Sequence, residues 1–181
     1  DEGSEKEHEL REIAGAVVSA YLELVKERER GAAASSPTYF RRLVSVAGFI
    51  AQAVCTEKVN VLRQEEYAFA IFVYVMDCEP YSLAKLMPPR EEKEEEDEDA
   101  TLSFEEIHPK GSAMHLRIRQ YDQILQREAP EIYQCLANHS ISASSYIGAH
   151  FQTMFTGLDN ADFEMLVQCW NSFICEGWKA A

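Results

Sequence analysis

The stretch LDNADFEMLVQCWNSFICEGW, residues 158–178, decides the fold. Apolar residues recur at Phe163, Leu166, Val167, Trp170, Phe173 and Ile174. Steps of three and four residues are those of an amphipathic helix with one face on a core. Asp159 or Asn160 stands where a cap for the first amides is needed, and Asp162 and Glu164 lie near the positive end of the helix dipole. Gly177 follows the last apolar residue and suits the left-handed conformation that ends a helix.

The same period runs through the rest of the chain. Leu10, Ile13, Val17, Tyr21 and Leu24 predict a helix over about 6–30, closed by the charged run KERER and Gly31. Residues 1–8 are polar and are expected to form a disordered tail, with the helical domain proper over 9–181. Ser36-Pro37 opens a second helix, with Phe40, Leu43, Val44, Ala47, Ile50, Ala51 and Val54 on its apolar stripe and Arg41 and Arg42 on a polar flank. Gln64 to Met76 is apolar nearly all round, and its length favours a buried helix over a strand. Pro80 breaks it, and Tyr81 to Met87 reads as a short helix stopped by Pro88 and Pro89.

Further helices open at Gly111-Ser112, at Pro130, and at Ser142 or Ser144, the last carrying Tyr146, Ile147, His150, Phe151, Met154 and Phe155. No strand pair and no repeat period appears. The predicted fold is all-α, a single helical domain of about seven to nine helices.

Composition limits the possible functions. A chain of 181 residues with 46% apolar content suits one domain with one core. It has no run of eighteen apolar residues and no signal-peptide pattern. It begins without Met and is expected to be a piece of a longer protein. The formal charge is −14, of which the run EEKEEEDED at 91–99 supplies half. That run lies in a predicted loop insertion, 88–111, expected to be solvated and to make no core contact. Nucleic acid and anionic membrane surfaces are poor partners for such a chain.

Cys55, Cys78, Cys135, Cys169 and Cys175 form no CxxC spacing, and each has apolar neighbours. They are expected to be small buried hydrophobes of a reducing compartment. No His, Cys or acid spacing predicts a metal site, and no Gly-rich phosphate loop or nucleophile elbow predicts a cofactor. His139 and His150 lie on different predicted segments and are expected to be packing or surface residues.

The order of residues says more than their period. Trp170, Asn171, Phe173, Ile174, Glu176, Gly177 and Trp178 resemble the signature near the end of TBC domains, the catalytic domains of Rab GTPase-activating proteins. That signature reads Trp-Asp, two large apolar residues, then Glu-Gly, so Asn171 replaces the usual Asp. Leu136, His139, Ile141, Tyr146, Phe151 and Phe155 are similar to the segment that precedes it in the family, and Glu65-Glu66-x-Ala68-Phe69 resembles a run nearer its middle. The resemblance covers roughly 38–178, is strongest at 65–69 and 130–178, and implies one or two further helices beyond this sequence.

The family resembles a two-finger device: an Arg in Ile-x-x-Asp-x-x-Arg and a Gln in Tyr-x-Gln-Gly-Met. The best spacing match to the first is Ala20-x-x-Glu23-x-x-Lys26, where Lys lacks the planar fork of Arg. Leu22-x-x-Val25-x-x-Arg28 has the Arg without the acid. Near the expected place of the second stands Gly48-Phe49-Ile50-Ala51-Gln52, with Gln52 one residue late, or about 100° of helix rotation. Lys26, Arg28 and Gln52 are therefore weak catalytic candidates.

The resemblance implies a small GTPase of the Rab type as partner, with docking or adaptor work in the cytoplasm, peripheral to endomembranes through the parent protein. The missing fingers lean against an activating enzyme. Two alternatives stand beside this reading. One is an active Rab GTPase-activating protein using Arg28, Arg41 or Arg42. The other is an all-helical interaction scaffold whose partner binds the acidic loop.

Overall fold

The computed structural model describes residues 2–28, 37–56, 63–87, 108, 110–158 and 161–179. Seven α-helices lie among them: α1 (Glu2–Arg28), α2 (Pro37–Thr56), α3 (Gln64–Asp77), α4 (Ala113–Glu128), α5 (Pro130–Asn138), α6 (Ile147–Thr153) and α7 (Phe163–Glu176). Short 3-10 turns occupy Leu83–Leu86, Ala143–Ser145 and Gly177–Lys179. No strand occurs among the described residues, and the all-α expectation holds. The acidic run at 91–99 and the caps expected at Asp159 or Asn160 lie outside the described residues.

The elements group into two compact units. The first comprises Asp1–Ala84 and Thr153–Ala181. Here α1, α2 and α3 pack on one another. Ala14, Val17, Val18 and Tyr21 of α1, Leu43, Val46, Ala47, Ile50 and Ala51 of α2, and Ala68, Phe72, Val75 and Met76 of α3 are all buried. The Tyr21 and Phe72 rings meet edge to face at 5.3 Å between centroids. Helix α1 begins at Glu2, four residues before the start that its apolar residues indicate, so polar residues set apart as a tail belong to its first turns.

α7 packs through Leu166, Trp170 and Phe173. Phe49 of α2 lies 5.0 Å from the Trp170 ring and 5.5 Å from that of Phe163. Ile174, which the stripe includes, is 42% exposed. It falls at the margin of the packed face, where its backbone carbonyl accepts the Tyr81 hydroxyl at 2.6 Å. Burial holds that hydroxyl above its ordinary pKa.

The turn before α7 explains why Trp170 is fixed. α6 stops at Thr153, and Met154 and Phe155 take left-handed backbone, with φ of 45° and 66°. Such a conformation costs about 1–2 kcal/mol per non-glycine residue. It also turns the Met154 carbonyl away from any helical partner. The buried indole N–H of Trp170 donates to that carbonyl at 3.1 Å. The helix predicted through Phe155 thus ends earlier, and its start is a 3-10 turn at Ala143–Ser145 with α6 proper beginning at Ile147.

Gly177 ends α7 at φ 63° and ψ −148°, a region open in practice only to glycine. A Cβ there would lie 2.9 and 3.2 Å from Pro80 carbons. Trp178 then turns back, and its indole N–H donates to the Tyr81 carbonyl at 2.7 Å.

The second unit is Lys85–Gln152. Ser112 caps α4, accepting the His115 amide at 3.2 Å. Met114 and Ile118 are buried, and Tyr121 meets Tyr146 and Phe151 edge to face. α5 ends in a Schellman arrangement: the Ser140 amide donates to Ala137 and the Ile141 amide to Leu136. Ser140 takes the left-handed position at φ 56° where glycine is usual. The amide of Gln152, buried like His108 beside it, donates to the Leu86 carbonyl at 2.9 Å.

Two expectations are corrected. The cysteines are not buried: Cys135, Cys169 and Cys175 are exposed and Cys55 and Cys78 half-buried, all as thiols. Val54 beside Cys55 and Trp170 beside Cys169 are buried while the cysteines turn to other sides of those helices, and α5 buries no residue at all. α3 is not covered all round either. Tyr67, Ile71 and Tyr74 lie on one outward stripe and are 47%, 38% and 50% exposed.

Trp170→Ala is expected to cost about 3–5 kcal/mol in urea unfolding, since it removes a buried ring and orphans the Met154 carbonyl. Gly177→Ala is expected to cost about 1–3 kcal/mol in the same measurement, because strain and the Pro80 contact act together.

Candidate functional site

The residues singled out in the sequence, Lys26, Arg28, Gln52, Arg41 and Arg42, lie on α1 and α2. Lys26 and Arg28 occupy the last turn of α1, where the helix dipole favours cations. Lys26 is bound by Glu23 at 2.7 Å, one turn back on the same helix. Arg28 is not a freely solvated residue. Its guanidinium pairs with Asp77, the last residue of α3, and the Tyr21 hydroxyl donates to the same carboxylate at 2.7 Å. Asp77 therefore collects two donors and ties the end of α1 to the end of α3.

An arginine serves in trans only when its fork is free to reach a partner's phosphates. Arg28 spends part of that fork within its own chain, although it remains half-exposed. Sequence reading missed this pairing, because Arg28 and Asp77 stand 49 positions apart and no period links them.

Gln52 is exposed on α2. Its backbone carbonyl accepts the Thr56 hydroxyl at 2.7 Å, but no hydrogen bond among the described residues orients its side chain. No hydrogen bond or ion pair among the described residues joins Lys26, Arg28 and Gln52 to one another. The three candidates are not assembled into one constellation by direct contact.

Arg41 and Arg42 differ in their surroundings. Arg41 is exposed and Arg42 half-buried. Burial lowers the pKa of the Arg42 guanidinium.

The residues that resemble the family signature divide by role. Trp170, Phe173 and Gly177 are buried and pack the end of the first unit. Asn171 and Glu176 are exposed. In the middle run, Ala68 is buried among helices while Glu65 and Glu66 face outward in the first turn of α3. His139 is exposed, with Nδ1 2.8 Å from the Cys135 carbonyl, so its nearest role is capping α5. No cluster of three metal-ligating side chains occurs among the described residues, and none of their helices is long and apolar enough to cross a membrane.

Arg28→Ala is expected to change the unfolding free energy by less than about 1 kcal/mol, since the pair is half-exposed and solvent screens it. Tyr21→Phe, which removes a donor beside a packed ring, is expected to cost about 0.5–1.5 kcal/mol. Chemical denaturation of both variants measures the difference.

The Rab-GTPase-TBC domain family matches residues 46–181. No curated protein and no solved structure matches the chain. The match begins at Val46, so Lys26, Arg28, Arg41 and Arg42 lie before it and Gln52 within it. The match covers well over half of the sequence and includes the helix built around Trp170. The chain belongs to the Rab-GTPase-TBC domain family.

Proposed function

We propose that this domain docks a small GTPase of the Rab type and serves as an adaptor, without efficient activation of GTP hydrolysis. The observation that carries the reading is the state of the candidate fingers. Lys26 lacks a fork and is bound by Glu23, Arg28 is engaged by Asp77, and Gln52 has no partner among the described residues to orient it. Catalysis of phosphoryl transfer depends on placing charge to within fractions of an ångström. Docking needs only surface shape and a few anchors. A domain that binds ground state and transition state equally accelerates nothing.

This reading places the work in the cytoplasm, at endomembrane surfaces reached through the parent protein. Family membership supports the class of partner, and the unassembled candidates support the adaptor role. A second reading, an activator with non-standard residues, is favoured by one observation: among the described residues no acid engages Arg41 or Arg42.

Single-turnover GTP hydrolysis on a panel of Rab-type GTPases, with the domain in excess, separates the two. The expected outcome is less than about hundredfold acceleration on every member, beside the roughly 10³- to 10⁵-fold that an arginine in trans supplies. Greater acceleration, abolished by Arg41→Ala or Arg42→Ala, would establish the activator.

A further inference from the structure

α3 buries one side and carries an ordered apolar row on the other. Ala68, Phe72, Val75 and Met76 face the core. Tyr67, Ile71 and Tyr74 follow one another at steps of four and three along the opposite side, and all three are exposed. Over two turns, or about 10 Å, this is the spacing by which one helix packs on another. A single exposed apolar residue needs no explanation, but a row at helical spacing marks a contact surface. The Tyr74 ring lies 5.4 Å from that of the buried Tyr81. The Tyr81 hydroxyl in turn donates to the Ile174 carbonyl, with the Tyr74 side chain beside it. Tyr74 and Ile174, both exposed, thus bracket one buried ring. An anchor so fixed has little freedom left to lose on binding.

Two helix C-termini meet at Tyr81. α3 ends at Asp77, and the Tyr81 amide donates to the next carbonyl, that of Cys78, at 3.0 Å. α7 ends at Glu176, two residues past the carbonyl that accepts the Tyr81 hydroxyl. The dipole makes both ends negative, and cations are their usual complement. Neither last turn has one. Neither helix contains a Lys or Arg anywhere, while Glu65, Glu66, Glu164 and Glu176 stand exposed on them. Arg28 is engaged by Asp77, and the bases nearest in sequence, Arg63 before α3 and Lys179 after α7, leave the balance acidic.

These charges choose among occupants. A second copy meeting the row face to face would bring acid against acid, and an anionic lipid surface would be repelled in the same way. A helix offers no open backbone edge, so an extended segment cannot add to it as a strand. We infer that the Tyr67-Ile71-Tyr74 face docks a basic amphipathic helix of another protein. Its apolar residues, at steps of three and four, lie against the row, and its Lys and Arg side chains reach the negative ends of α3 and α7. The inference goes beyond the docking of a GTPase and does not depend on it. It supplies the second partner that an adaptor requires.

The probe is a synthetic helix of about 18 residues with Leu along one face and Lys along its rim, and its twin carries Glu in place of every Lys. Fluorescence anisotropy follows each with the whole 181-residue chain, with no GTPase present. The basic helix is expected to bind with a micromolar Kd that weakens as salt is added, and the acidic twin at least about tenfold more weakly. Tyr67→Ser and Ile71→Ser are each expected to weaken binding at least about tenfold with an unchanged unfolding midpoint. Glu176→Lys is expected to weaken it at least about threefold. Leu116→Ser and Ile124→Ser, on the exposed side of α4, are expected to change it by less than about twofold.

No binding, a twin that binds as tightly as the basic helix, or an affinity that survives both changes in the row overturns the inference. A lowered midpoint makes the row part of the fold and overturns it as well. Should a row variant fail to fold, Glu66→Lys and Glu176→Lys decide, since both side chains are exposed: an unchanged Kd in the pair overturns the inference. Sedimentation of the chain alone covers the remaining occupant. A dimer that Tyr67→Ser abolishes assigns the face to a second copy and overturns the basic helix, and a monomer supports it. Because the mixture holds no GTPase, failure of the docking reading leaves this result standing.

Discussion

The first unit depends on one hydrogen bond inside an aromatic contact, the Trp170 indole N–H on the Met154 carbonyl. The left-handed pair Met154-Phe155 ends α6 abruptly and leaves that carbonyl without a helical donor. An unsatisfied buried carbonyl costs about 1–3 kcal/mol, on top of the strain of two non-glycine residues at positive φ. Trp170 answers both. Its nitrogen satisfies the carbonyl, and its ring packs against Phe49 and Phe173. A smaller aromatic would keep some packing and lose the donor. This explains why tryptophan stands here, beyond the need for a large apolar residue.

How much of this was legible in the sequence depends on the kind of information each feature carries. The helix of Leu166, Trp170 and Phe173 was legible because period and packing agree. Its end at Gly177 was legible because few residues tolerate that backbone. The cysteines misled because apolar neighbours in sequence share a stretch of chain without sharing a helix face. α3 misled differently: Tyr67, Ile71 and Tyr74 are apolar enough to resemble a core and lie outward nonetheless. The candidate site was least legible. Asp77 meets Arg28 and Tyr21 only through folding, across a separation that no period in the sequence bridges.

The division between packing and chemistry follows from what each demands. A core position accepts any residue of suitable volume and period, so a family's buried signature persists through many substitutions. A finger requires one functional group at one point. Replacing Arg by Lys, or shifting Gln by one position, leaves the helix intact and removes the group from its place. A domain can keep the shape of an activator while its reactive groups lapse, and the surface that met the GTPase then remains available for recognition alone.

The pairing of α1 with α2 and α3 bears on how this domain is handled as material. The family match opens at Val46, in the middle of α2. A chain cut at that homology boundary would lose α1 and the first two turns of α2 together. Phe72 would lose the Tyr21 ring, Asp77 would lose both donors, and the seats of Val17 and Val18 would face water. The smallest unit that folds is therefore longer than the smallest unit that resembles the family. Expression boundaries drawn from resemblance would yield an aggregating product whose failure to bind says nothing about the domain.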